Sequence, residues 1–328
     1  MSIDARRADA ATRSPSLEPV TQQFIDNLTE AGGPPIYTLS PAAARKVLAE
    51  AQGRPVGKPA ASIEDTTFPV GPTGKVPIRI VRPEGARGLL PVVMYIHGGG
   101  WILGDRNTHD RLIREIAVGA SAAVVFVDYD RSPEARYPVA IEQVYAATLH
   151  VVEYRRQLSV DTTRVAIAGD SVGGNMAAAI TLMAKQRRGP RIDFQVLFYP
   201  VTDANFDTTS YDSFADGPWL SRPSMQWFWH AYQPDVAARK EITATPLNAT
   251  IDQLKGLPEA LVIVDENDVL RDEGEAYARK LTEAGVRVES VRYNGTIHDF
   301  VMLNALADTP ATRGAIAQAT TALRAVLY

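Results

Sequence analysis

From residue 91 to the end of the chain, short apolar runs alternate with segments of helical period, and no other feature restricts the fold as much. Residues 91–96 (PVVMYI) read as a buried strand, about 108–119 as a helix, 122–127 as a strand, 138–157 as a helix and 165–168 as a strand. A helix from about 172, strands at 194–199 and 260–264, a helix at about 271–284, a strand at 286–291 and a helix near 309–326 complete the series. Strands that are apolar on both faces need cover on both faces. The pattern therefore predicts an α/β fold, a mostly parallel central sheet with helices on either side. Such sheets gather their chemistry at the carboxyl ends of the strands.

Upstream of the alternation, Leu17, Val20, Phe24 and Leu28 fall at helical spacing, and a second helical segment starts at Ser40-Pro41 and closes near Gly53. Residues 63–81 change to β-type runs around Gly71-Pro72-Thr73-Gly74, which reads as two strands and a turn. One interval breaks the later rhythm. Residues 203–257 span 55 positions between two strands and carry Trp219, Trp227, Phe228, Trp229 and Tyr232. That is far longer than an ordinary connection, so it is expected to form a lid together with the N-terminal helices. The expected organisation is 1–55 as N-terminal helices of a cap, 56–202 as the first part of the core, 203–257 as the cap insertion and 258–328 as the rest of the core.

Composition closes off several function classes. The chain has 328 residues and a formal net charge of −4, which offers no positive field to gather nucleic acid. It has no cysteine, so thiolate nucleophiles and cysteine-ligated metals are excluded, and no metal or other cofactor is expected. Residues 1–16 lack the apolar stretch of a secretion signal, and no window approaches the run needed to span a bilayer, so a cytoplasmic location without membrane insertion is expected. Neither G-x-G-x-x-G nor the phosphate-cradling G-x-x-x-x-G-K-[ST] occurs, which disfavours nucleotide enzymes. The expected partner is a small molecule, with a homodimer left open.

The stretch AGDSVGGN at 168–175 moves from strand to helix through one serine among glycines. Gly169-Asp170-Ser171-Val172-Gly173 fits G-x-S-x-G, the elbow that raises a nucleophilic serine above the sheet on a turn too tight for neighbouring side chains. Five residues alone are a weak signal, and a glycine-rich turn with Ser171 as helix N-cap is the alternative. The strand before and the helix after are what the elbow requires. A serine hydroxyl needs a base, and of five histidines His298 lies in the loop after the last strand, where it can reach back over the strand ends. An acid must orient that imidazole, and in this type of fold it falls between serine and histidine. Asp268 is the first choice, with Asp265 next; Asp272 and Glu273 sit in a first helical turn and serve better as dipole partners. Negative charge on the tetrahedral oxygen needs backbone donors: the N–H of Val172 and one from the loop His97-Gly98-Gly99-Gly100-Trp101.

HGGGW at 97–101, GDSVGGN at 169–175, DVLRDEG at 268–274 and His298-Asp299-Phe300 together resemble the bacterial hormone-sensitive-lipase-like carboxylesterases of the GDSAG subgroup, from about residue 65 onward. The resemblance implies an α/β-hydrolase fold with a helical cap, hydrolysis of short- to medium-chain esters without a metal, a triad of Ser171, Asp268 and His298, and oxyanion donors among Gly98, Gly99, Gly100 and Val172, with Gly99 preferred. Two departures stand out. Val172 replaces the usual alanine, and its branched side chain is expected to narrow the acyl pocket; Asp130-Arg131 replaces the family's Arg-Leu. Trp101, Trp219 and Trp229 are candidate substrate contacts, although aromatics at this density also form cap cores. Alternatives are an acyltransferase or amidase with the same triad, or a ligand receptor, which His298 disfavours. With an ordinary imidazole as base, activity is expected to rise through roughly pH 6–7.

Overall fold

The computed structural model describes residues 16–328, so the first 15 positions of the expected cap segment lie outside the described residues. Apolar strands β3 (Leu90–Ile96), β4 (Ala123–Val127) and β6 (Phe194–Phe198) are buried at every position. They stand in one eight-stranded sheet of order β1-β2-β4-β3-β5-β6-β7-β8, completed by β1 (Ala61–Phe68), β2 (Val76–Pro83), β5 (Val160–Asp170), β7 (Glu259–Asn267) and β8 (Val288–Ile297). Strands β3 to β8 are parallel, and β1 and β2 add an antiparallel margin.

Right-handed crossovers decide where the helices go. The connection β3–α3–β4, with α3 at Asp110–Ala120, steps one way along the sheet; those through α4 (Val139–Glu153), α5 (Val172–Arg187) and α9 (Arg271–Glu283) step the other way. Opposite steps place α3 on one face and α4, α5 and α9 on the other. Accordingly α3 packs with the last helix, α10 (Pro310–Leu327), and α4 packs with α5. The direction of winding reverses at β3, so a crevice opens at the carboxyl ends of β3 and β5. The HGGG loop leaves β3 and the serine elbow leaves β5 at that point.

Two segments outside the sheet cover this crevice. The N-terminal segment supplies α1 (Pro19–Ala31), a short turn at Ile36–Thr38 and α2 (Pro41–Ala51). The segment between β6 and β7 supplies α6 (Thr209–Ser213), α7 (Arg222–Tyr232) and α8 (Ile251–Leu254). They meet where the turn Ile36–Thr38 packs on α7 and where the rings of Phe24 and Trp219 lie 5.5 Å apart.

Candidate active site

Strand β5 carries Ser171 to the start of α5 with φ 55° and ψ −121°, a backbone region that side-chain-bearing residues seldom occupy. Its hydroxyl makes no capping bond to the helix, so the capping alternative fails. The flanking glycines answer to space: a Cβ on Gly173 would lie 2.0 Å from the carbonyl oxygen of Ile96, and one on Gly169 would lie 2.4 Å from the carbonyl of Gly173. The elbow is held against β3.

His298 follows β8, and Asp268 follows β7. The His298 ring bridges the other two residues, with Nδ1 2.8 Å from Asp268 Oδ2 and Nε2 2.9 Å from Ser171 Oγ. Asp268 Oδ1 also accepts the N–H of Leu270 at 3.0 Å. All three side chains are buried. Burial on its own would favour the neutral imidazole, but the charges of Asp268 and Asp299 outweigh it and push the His298 pKa up to about 9. A base at this position would titrate above the expected pH 6–7 window. Asp272 and Glu273 have other tasks: Asp272 accepts the N–H of Ser210, and Glu273 accepts those of Thr202 and Asp203, tying the cap insertion to α9.

The glycine loop divides by hydrogen bonding. The Gly98 N–H, one of the expected donors, is already engaged: it lies 3.1 Å from Asp170 Oδ1 and donates to it. The sequence alone could not reveal that acceptor. Gly99 and Gly100 take φ 99° and 61°, turning their backbone toward the cavity beside Ser171. Their N–H groups have no acceptor among the described residues. The Val172 N–H, at the first position of α5, likewise has no partner within the helix.

A cavity of about 340 Å³ lies over Ser171, with walls from Pro35, Ile36 and Leu48 on one side and Trp219, Leu220 and Phe228 on the other. Of the three candidate tryptophans, Trp219 lines it. Trp101 and Trp229 do not: Trp101 stacks on Tyr232 at 4.1 Å and meets Trp229 at 4.8 Å, with both indoles fully buried where the cap seats on the core. Val172 is also fully buried and outside the cavity wall, so its branched side chain does not narrow this cavity as expected. Among the described residues, the grouping with metal-ligand spacing is Asp265, Asp268 and His298, but both ring nitrogens of that histidine are already bonded to protein.

A family profile of the α/β-hydrolase fold matches residues 93–302. The chain belongs to the α/β-hydrolase family. It is 50% identical to a thermostable esterase from Pseudomonas putida whose crystal structure superimposes with a TM-score of 0.94, covering 97% of this chain and 99% of that one. A carboxylesterase of Mycobacterium tuberculosis, NlhH, is 36% identical over 96% of this chain and 97% of its own length. The esterase LipI from the same organism is 39% identical over 79% and 80%. This α/β-hydrolase is a carboxylic ester hydrolase of the hormone-sensitive-lipase-like group.

Sequence reasoning gave little sign of the residues that hold the glycine loop after β3 from behind. Asp170 accepts from Tyr95 (2.7 Å) and Gly98 and pairs with His109 at 3.2 Å. Burial disfavours a charged His109, but Asp170 overrides this and raises its pKa, whereas burial and the neighbouring His109 push His97 down to about 4. Arg131, one of the departures from the family pattern, donates to Gly104 O at 2.7 Å. Arg45, on α2, donates to Ile102 O and Ser132 O and pairs with Glu134. Asp170, beside Ser171 in the motif, and Arg131, as a departure from the family pattern, carried a local signal; the others did not. Asp299, the residue after His298, accepts from Trp219 Nε1 at 2.9 Å and so ties the cap to the loop that carries His298.

Proposed function

We propose that this esterase works through an acyl-enzyme on Ser171. His298 Nε2 takes the Ser171 proton as Oγ attacks the ester carbonyl; Asp268 holds the other ring nitrogen and stabilises the imidazolium. The oxyanion is met by N–H groups of Gly99, Gly100 and Val172. Collapse expels the alcohol, which takes the proton from His298, and water repeats the sequence in reverse to free the acid. The observation that carries this reading is the single imidazole bonded at 2.9 Å to Ser171 and at 2.8 Å to Asp268. A cavity of about 340 Å³ with mostly apolar walls supports short- to medium-chain acyl esters as substrates.

Ser171→Ala is expected to lower turnover of a p-nitrophenyl ester by at least about 10⁴-fold with the fold unchanged, and to abolish covalent labelling by a fluorophosphonate. Retained turnover would sink the mechanism. An acyl-length series should give a kcat/KM that climbs until the cavity is filled and then falls; a preference for long chains would contradict the substrate class. Added alcohols should divert only a minor share of the acyl group, since dominant transfer would make this an acyltransferase.

A further inference from the structure

One carboxyl group beside the triad is unused by the mechanism. Asp265 lies at the carboxyl end of β7, just before a register shift in the pairing with β8. It is fully buried, and neither of its oxygens has a hydrogen-bond donor among the described residues. Its Oδ2 lies 4.0 Å from His298 Nδ1, and one oxygen from each aspartate together with a ring nitrogen falls within 4.8 Å.

Two buried carboxylates with oxygens within 4.8 Å of each other disfavour each other's ionisation, so the less well hydrogen-bonded of the two is the one to take up a proton. Asp268 accepts two hydrogen bonds and can keep the charge; Asp265 accepts none, and an ionised carboxylate there would bear the full desolvation penalty. The groups facing Asp265 are Asp268, His298, Asp299 and the Tyr199 hydroxyl, which is buried and makes no bond to it.

We propose that Asp265 is a positioning residue that remains a neutral carboxylic acid at working pH and donates its O–H to Asp268, so that the acid of the triad is a two-carboxyl unit with one charge. This rests on the triad proposed above. Burial, followed by the charges of Asp268 and Asp299, holds Asp265 well above the usual carboxylate range. The donated hydrogen bond would draw charge from Asp268 and temper the basicity of His298 without adding a second negative charge.

Asp265→Asn and Asp265→Ser test this, since both are neutral donors and the second serves if the first fails to fold. The acid-side inflection of kcat/KM is expected to stay within about 0.3 units of wild type in either folded variant. A fall of about one unit or more, as removal of a nearby negative charge would give, overturns the proposal. The infrared difference between wild type and variant at neutral pH should contain a lost carboxylic-acid C=O band; a lost carboxylate band instead overturns it. The infrared result does not depend on which residues catalyse. An active Ser171→Ala enzyme would defeat the triad, and a lost carboxylate band with Ser171→Ala inactive would defeat only the role of Asp265.

Discussion

His298 carries two opposing pH dependences. As the proposed base it must be neutral, so the acid limb of kcat/KM should have its inflection at about 9, where Asp268 and Asp299 place the ring despite burial. A rate already level between pH 6 and 8 would refute this. Stability runs the other way. The folded state raises the pKa above the unfolded 6.5, so the histidine's contribution is complete below that value and is lost as pH rises through about 9. Melting scans should show Tm declining over this interval in wild type and declining less in His298→Gln. At this scale Ser171, Asp268 and His298 were legible because a motif and the chain order pointed to them. The loss of Gly98 as a donor was not, because it depends on an Asp170 carboxylate arriving from another strand. Nor was it visible that Trp219 would line the cavity while Trp101 and Trp229 packed behind it.

Among the elements, the elbow shows how little room the chemistry leaves. Gly173→Ala would push a methyl group into the Ile96 carbonyl at 2.0 Å, moving β3 against β5, and should cost roughly 1–3 kcal/mol, read as a lower denaturation midpoint, with activity falling further than stability. Alternation along the sequence located the strands because they are apolar on both faces. Their ends were hidden. Strand β8 runs from Val288 to Ile297, beyond the expected 286–291, because the polar stretch from Arg292 pairs with the end of β7 through a register shift. Strand β5 starts at Val160 for the same kind of reason, with Asp161 opposite Pro91. Polar residues paired at a sheet's end carry no hydrophobic period.

Across the whole molecule, the N-terminal helices are joined to the glycine loop after β3 through Arg45. Arg45→Met should leave KM within about threefold and lower kcat about 10- to 100-fold, because the loop that aims Gly99 and Gly100 loses its bonds at Ile102 and Ser132. A change confined to KM would mean that the arginine serves only substrate entry. The tryptophans should separate in the same spirit: Trp101→Ala should cost about 3–5 kcal/mol of stability, and Trp219→Phe should alter acyl preference while lowering stability less, by the roughly 1–3 kcal/mol that a lost bond to the buried Asp299 carboxylate costs. Sequence suggested a cap of two pieces, but which of its side chains face the ester depends on packing between distant segments. The bond from His298 to Ser171 joins residues 127 positions apart, and Gly295 accepts the N–H of Glu18. During synthesis the proposed nucleophile therefore leaves the ribosome long before its proposed base, so on this reading a nascent chain already displaying Ser171 cannot attack an ester until its final strand has emerged and docked.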